Sequence, residues 1–265
     1  TTRLRSLSSS EWEAASETLT VSLDERNTEA LLHEIAPAYG TQINDVLLTA
    51  LAQTLGRWTG LDRVTIDLEG HGREDLFPEL DVSRTVGWFT SVFPVTLDVM
   101  SLVSPGEALK TVKEQLRRVQ GHGIGYGIVR YLTKEGRSAA EARPAARIPV
   151  GFNYLGQFDA VVAEESAFVL STESVGNEHD PRNPMEYELD LNASVVNGRL
   201  EVMWTYSRER YRSGTISSLA TAYLNDLQTL IAHCLCADAG GYTPSDFPNV
   251  ELEQDALDAI LEQMN

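Results

Sequence analysis

The chain contains few cysteines, few basic residues and no long apolar segment. Two cysteines in 265 residues do not indicate a disulfide framework, so we expect a reducing, cytoplasmic compartment. Lys and Arg number 21 against 39 Asp and Glu, and the formal net charge of −18 would repel nucleic acid and anionic membranes. Without a signal peptide or an apolar span of membrane length, we expect neither secretion nor membrane insertion.

The two cysteines, Cys234 and Cys236, follow His233 in one apolar segment. These spacings do not match the Cys-x2-Cys or His-x3-His patterns of zinc sites, and the sequence offers no second ligand pair. We therefore expect no metal site, and we expect these residues to pack at the end of a helix.

The patterning that is present is typical of an α/β protein with a large core. Hydrophobic residues make up 42% of the chain and charged residues 23%, a globular composition. Apolar and β-branched patterns predict strands over 17–23, 64–68, 91–97, 148–154, 187–195 and 200–206. Helical spacing and caps predict helices at about 24–36, 43–58, 104–120, 126–133, 216–236 and 255–264.

Three local signals sharpen this scheme. Pro37 is expected to end the first helix, and Pro94 places its strand at a sheet edge or bulge. Asn197-Gly198 predicts a type I′ hairpin turn between the last two strands. Helices interleaved with non-uniform strands and one hairpin indicate an α/β sandwich with a mixed sheet.

One strand leads into a loop suited to presenting side chains. The β-branched run at 63–66 is followed by Asp67-Leu68-Glu69-Gly70-His71-Gly72-Arg73-Glu74. Glycine permits sharp backbone geometry and the close approach of a ligand. Glu69, at the strand end beside this loop, is a candidate general base.

Four segments together resemble a known family. They are Glu69-Gly-His-Gly-Arg-Glu74, Thr85-Val-Gly-Trp-Phe-Thr-Ser-Val-Phe-Pro94, Gly125-Tyr-Gly-Ile-Val-Arg-Tyr-Leu132 and Phe152-Asn-Tyr-Leu-Gly-Gln-Phe158. In this order they resemble the C-terminal half of a nonribosomal peptide synthetase epimerization domain, a branch of the condensation-domain superfamily. The resemblance implies a chloramphenicol acetyltransferase-like sandwich lobe, a mixed β-sheet packed with helices, over residues 1–240. Residues 241–265 resemble an exit linker with a short helix.

The sequence departs from the family pattern at one motif. The family carries a His-His-x-x-x-Asp-Gly motif in its N-terminal half, and this sequence contains no His-His pair. We therefore expect one lobe of a two-lobed pseudo-dimer, inactive by itself, whose partner is the missing N-terminal lobe with that motif.

The resemblance also implies a reaction and a set of site residues. It implies conversion of an L-aminoacyl or peptidyl thioester to the D form by α-proton removal and return. Glu69 and the absent histidine would form the acid/base pair, while Asn153 and Tyr154 would donate hydrogen bonds to the thioester or enolate. His71, Arg73, Trp88 and Ser91 would contact the substrate or its arm, with Phe89 beside them.

The same resemblance implies how the substrate is delivered. It would arrive on the 4′-phosphopantetheine arm of a peptidyl carrier protein, and no intrinsic cofactor is implied because the thioester already acidifies the α-proton. Two alternatives stay open: peptide-bond-forming condensation on the same fold, and a non-catalytic lobe that docks carrier proteins. Fold likeness alone does not separate the three.

Overall fold

The computed structural model describes residues 16–75, 77, 79–98, 104–134, 150–158, 173, 185–250 and 253–264. The strands are β1 Ser16–Ser22, β2 Arg63–Gly70, β3 Ser91–Asp98, β4 Val150–Gln157, β5 Leu189–Val196 and β6 Arg199–Ser207. The α-helices are α1 Glu25–Glu29, α2 Ala36–Tyr39, α3 Ile43–Thr59, α4 Pro105–Arg117, α5 Ile124–Leu132, α6 Ser213–Cys234 and α7 Gln254–Met264. A π-helical turn, Ala30–Glu34, and two 3₁₀ turns, Gln120–Gly123 and Pro244–Asp246, complete the elements.

The six strands form one mixed sheet in the order β1-β6-β5-β4-β2-β3. β4 runs parallel to both β2 and β5, whereas β6 is antiparallel to β5 and to β1. β3 is an edge strand, which confirms the position expected from Pro94. The mixed sheet and its helices confirm the predicted α/β class.

The hairpin between β5 and β6 has the predicted turn. Asn197 and Gly198 adopt φ values of 51° and 69°, the left-handed pair that a type I′ turn requires. This turn fixes the register of the hairpin, in which Asp190 lies opposite Thr205 and Asn192 opposite Met203.

The strands have one buried apolar face and one half-exposed polar face. In β5 the odd-numbered residues from Leu189 to Val195 are buried, and the residues between them are half-buried. β2 alternates in the same way, with Ile66 and Leu68 buried and Asp67 and Glu69 half-buried. Because side chains alternate along a strand, the polar residues of β2, β4 and β5 share one face. We call this surface the polar face of the sheet.

The chain divides into two compact units. The sheet unit contains the described residues of 16–25, 65–95 and 120–221, and the helical unit contains those of 26–64, 96–119 and 222–264. The helical unit buries charged groups in pairs. Asp45 accepts two hydrogen bonds from Arg117, at 3.0 and 2.7 Å, and one from the backbone of Gln42 at the start of α3.

The expectation that Pro37 ends the first helix is wrong. Pro37 lies in the first turn of α2, where a missing backbone N–H costs nothing, and the helical backbone continues to Tyr39. Gly40, at φ 60°, ends it. The other helices lie near their predicted positions, although α4 ends at Arg117 rather than near residue 120. Within the described part of the chain, no helix is long and apolar enough to cross a membrane.

Candidate functional site

Glu69 is the penultimate residue of β2, and its half-buried side chain lies on the polar face of the sheet. The side-chain amide of Asn153, on the neighbouring strand β4, donates a hydrogen bond of 2.9 Å to Glu69 Oε2. The parallel register of β2 and β4 produces this contact, since it places Leu68 beside Phe152 and so brings the next residue of each strand together. Both residues were predicted from the sequence as site residues, and the structure joins them by this hydrogen bond.

The surroundings of Glu69 favour its protonated form. Burial raises the pKa of the Glu69 carboxyl, and the negative charges of Asp190 and Glu186 raise it further. Among the described residues, no lysine or arginine forms an ion pair with Glu69. A carboxyl group with a raised pKa can accept and return a proton closer to neutral pH than an exposed one can.

Two aspartates extend the acidic character of this face. Burial raises the pKa values of Asp67 and Asp190, although a hydrogen bond from Tyr187 opposes the shift at Asp67. The side-chain amide of Asn192 donates to Asp190 at 3.4 Å. Asp190, Glu186 and Tyr187 are not among the site residues predicted from the sequence. The period-two pattern of β5 was the available signal, but only the strand order places β5 two strands from Glu69.

Tyr154 lies apart from Asn153. The two residues are consecutive in β4, so the Tyr154 side chain is on the opposite face, the face of Phe152. Burial raises the pKa of the Tyr154 hydroxyl. The structure therefore places only Asn153 of this predicted pair against Glu69.

His71 contacts a carboxylate just beyond the strand end. Its Nδ1 accepts a hydrogen bond of 3.0 Å from the backbone N–H of Arg73, so in the neutral ring Nε2 carries the proton. His71 Nε2 lies 3.4 Å from Glu74, whose second oxygen is 3.8 Å from Nε2 of His122. His122 itself has a left-handed backbone at φ 48°. Both histidines are mainly exposed, and their shared partner is Glu74 rather than Glu69.

Arg73 orders the loop that follows β2. Its guanidinium donates to the backbone carbonyls of Val82 and Gly87 and lies 4.3 Å from the centre of the Phe89 ring. These contacts involve carbonyl groups and an aromatic face, and no carboxylate. In this arrangement Arg73 supports the loop that carries Trp88.

Trp88 and Ser91 occupy different environments. The Trp88 side chain is 91% exposed, so its indole is available to a ligand. Ser91 Oγ lies beside Gly70, which alternation places on the face opposite Glu69, and this oxygen is buried without a hydrogen-bond partner among the described residues. The structure thus does not bring Trp88 or Ser91 into contact with Glu69.

His233, Cys234 and Cys236, near the end of α6, have three different environments. The His233 ring stacks on Tyr39, and its Nε2 is 2.8 Å from the Tyr39 hydroxyl. Cys234 is buried and Cys236 exposed, both as free thiols. Across the residues that the structure describes, no group of three His, Cys, Asp or Glu side chains is arranged to hold a metal ion.

Two synthases illustrate the likeness in sequence. The chain is 45% identical over 236 residues to one of the linear gramicidin synthase proteins of Brevibacillus parabrevis, covering 88% of this chain and 5% of that protein. It is 40% identical over 244 residues to gramicidin S synthase 1 of Brevibacillus brevis, covering 89% of this chain and 22% of that protein. The chain therefore spans only a small part of the length of the curated relatives it matches.

Solved structures and a family model agree with this likeness. The crystal structure of the epimerization domain from the third module of a tyrocidine synthetase is similar, with a TM-score of 0.77 at 37% identity over 86% of this chain and 50% of that chain. The condensation domain from the monacolin K polyketide synthase has a TM-score of 0.59 at 17% identity, over 85% and 48% of the two chains, which shows a shared fold. The model of the condensation domain family matches residues 4–252, and the chain accordingly belongs to that family.

Proposed function

We propose that this chain is part of a peptide synthetase epimerization domain, which converts an L-aminoacyl or peptidyl thioester to the D form. The observation that carries the proposal is Glu69, a half-buried carboxyl group oriented by Asn153 and placed among other acids. Removing an α-proton and returning it to the opposite face requires a group that alternates between base and acid. A carboxyl group with a raised pKa meets that requirement.

The proposed chemistry needs a second acid/base group on the other side of the α-carbon. We assign this role to a histidine of a His-His-x-x-x-Asp-Gly motif in an N-terminal lobe of the same synthetase. Glu69 would exchange the proton on its own side, and Asn153 would hold the carboxyl group in position. Hydrogen-bond donors must also stabilise the enolate oxygen, and Tyr154 remains a proposed donor if the substrate reaches the face on which it lies.

The substrate would be delivered by a peptidyl carrier protein on its 4′-phosphopantetheine arm. The exposed indole of Trp88 offers an apolar surface to such an arm, in the loop that Arg73 orders. His71 and Ser91 stay proposed contacts to the substrate or arm. Similarity at 37% identity to an epimerization domain supports this interpretation, because the matched region covers 86% of the chain.

Condensation is the second candidate function. It is favoured by the family model, which describes a condensation domain. A condensing enzyme needs an acceptor amine positioned by the histidine motif and does not need Glu69 as an acid/base group. The two functions therefore differ in their dependence on one carboxyl group.

The test uses a protein that contains this chain together with an N-terminal lobe carrying the histidine motif. A carrier protein loaded with an L-aminoacyl thioester is incubated with it in deuterated water, and α-deuterium is followed by mass spectrometry. Epimerization predicts deuterium incorporation together with D product. Glu69→Gln should lower the exchange rate by roughly 10²- to 10⁴-fold, the usual contribution of a general acid/base.

A matched control separates this effect from a general change of surface charge. Glu201 of β6 is half-buried on the same polar face, in register with Ser194 of β5 and Ser22 of β1. Glu201→Gln should leave exchange unchanged. Peptide formation with an added acceptor, without exchange and without dependence on Glu69, would replace epimerization by condensation.

A further inference from the structure

Gly151 has no side chain to cover its position on the polar face of the sheet. It lies in β4, in register with Asp67 of β2 on one side and with Asp190 of β5 on the other. A β-carbon at this position would be 2.6 and 2.7 Å from two ring carbons of Tyr187. The Tyr187 ring therefore occupies the space that a side chain at position 151 would need.

The Tyr187 ring is anchored at its hydroxyl and through the neighbouring residue. The hydroxyl donates a hydrogen bond to the Asp67 carboxylate. Next in the chain, buried Glu188 accepts a hydrogen bond of 2.6 Å from the Tyr211 hydroxyl and pairs with Arg210. The ring is buried and lies close enough to Glu69 for the charge of that carboxylate to raise the pKa of Tyr187.

We propose that Tyr187 is a positioning residue for proton exchange at Glu69, with its ring seated on Gly151 and its hydroxyl tethered to Asp67. The ring keeps water from the row of acids, so that Glu69 works in a half-buried setting. Tyr187 contacts Asp67 and Gly151 rather than the reacting atoms. Its effect on proton exchange is therefore exerted through Glu69. This inference rests on the proposed function and adds a residue outside the four family-like segments.

The causes of the raised pKa of Glu69 are consistent with a ring that shields it from water. Burial is the largest cause of the raised pKa of Glu69, ahead of the charges of Asp190 and Glu186. Asp67 on the same strand is also shifted upward by burial, and Arg130 of α5 opposes that shift. Loss of the ring would admit water to these carboxyl groups, and the pKa of Glu69 would fall.

Two substitutions remove the ring from its seat by different routes. Tyr187→Ala deletes it, and Gly151→Ala displaces it, because the new β-carbon overlaps the ring. Gly151 does not have a left-handed backbone, so alanine meets the two ring carbons and, at 3.0 Å, Asp190 Oδ1. In the two-lobed protein, both variants should move the acid limb of the exchange rate to lower pH by about 0.5 to 1 unit.

The double variant and a second readout make the test decisive. If Gly151→Ala acts only through the ring, adding it to Tyr187→Ala should change nothing further. A ¹³C NMR titration of the Glu69 carboxyl, assigned with Glu69→Gln, should show the same shift without any activity. Tyr206→Phe removes the hydroxyl group of a buried tyrosine on the opposite face of the sheet, in register with Leu189, and should leave both readouts at wild-type values.

Other results would overturn the inference. A lowered rate with an unmoved acid limb and an unmoved Glu69 titration would assign Tyr187 a structural role only, as would additive effects of the two substitutions. Failure of the proposed function looks different, because the wild-type protein would then show no exchange at any pH. The Glu69 titration would still decide the role of Tyr187 in that case.

Discussion

The acids on the polar face of the sheet and the acids buried in the helical unit are held in opposite ways. In the helical unit, Asp45 pairs with Arg117 and Asp246 with Lys113. In the sheet unit, Glu69 is held by the Asn153 amide and Asp190 by the Asn192 amide, without a salt bridge among the described residues. A carboxylate with a cationic partner serves the fold, whereas a carboxylate buried without one costs stability and is a mark of function.

Lys113 shows how complete the pairing is in the helical unit. Its side chain is fully buried, and the ammonium group donates to Asp246 Oδ1 at 2.6 Å and to the Tyr39 carbonyl at 2.8 Å. Partial burial by itself would raise the pKa of Asp246. Hydrogen bonds from Lys113 and from the Thr243 backbone outweigh that effect and lower the pKa. Among the residues that the structure describes, no positively charged donor reverses the upward shift in the pKa of Glu69.

The largest expected effect comes from removing the acidic partner of the ion pair between Lys113 and Asp246. Asp246→Asn leaves the buried ammonium of Lys113 without a counter-charge, which should cost about 3 kcal/mol in the free energy of unfolding. Urea denaturation at pH 7 measures this. Asp238→Asn, at an exposed aspartate of the same unit, is the control and should stay within about 0.5 kcal/mol of wild type. Equal stability of the two variants would mean that the pair does not hold the unit.

The next prediction concerns the hydrogen bond between Asn153 and Glu69, a carboxyl group that has no cationic partner among the described residues. Asn153→Ala removes the hydrogen bond to Glu69 Oε2, and a bond to a charged group is worth about 1.5 to 3 kcal/mol. If the bond orients the catalytic carboxyl, α-proton exchange should fall roughly 10- to 100-fold while substrate KM changes little. Asn192→Ala loses only the longer contact to Asp190 and should reduce exchange by much less. Similar losses in both variants would contradict a specific role for Asn153.

The smallest effect is a difference in the pH dependence of stability. A raised folded pKa means that the folded protein holds protons more tightly than the unfolded chain. The contributions of Glu69 and Asp190 therefore fall as pH rises above the ordinary values of 4.5 and 3.8. Asp246 has a lowered pKa, so its contribution is present above its ordinary value of 3.8 and is lost as pH falls through the folded value.

Asp190→Asn tests this sign difference. The variant lacks one of the groups that lose stability with rising pH, and it also relieves the repulsion acting on Glu69. Its free energy of unfolding relative to wild type should rise as the pH is raised from about 4 to 7. Denaturation at a series of pH values measures the trend. A difference that stays constant with pH would mean that the pKa of Asp190 is not raised in the folded protein.

Local structure was largely predictable because its signals are short-range. Asn197-Gly198 specified the type I′ turn by backbone preference, and Gly60 ended α3 as a left-handed cap after Thr59. Pro37 shows the limit of such rules. A proline ends a helix only where its missing N–H is needed. The π-helical turn ends at Glu34, and Pro37 lies in the first turn of a short helix that begins at Ala36.

Neighbouring residues and a recognisable motif were enough to predict the alternation of the strands, the hairpin turn and the choice of Glu69 as the candidate acid/base. Which side chains meet Glu69 could not be predicted in this way. Strands β2, β4 and β5 are far apart in the chain, and their parallel order and register are set by packing over the whole sheet. That register put Asn153 against Glu69, left Tyr154 on the opposite face and seated Tyr187 on Gly151.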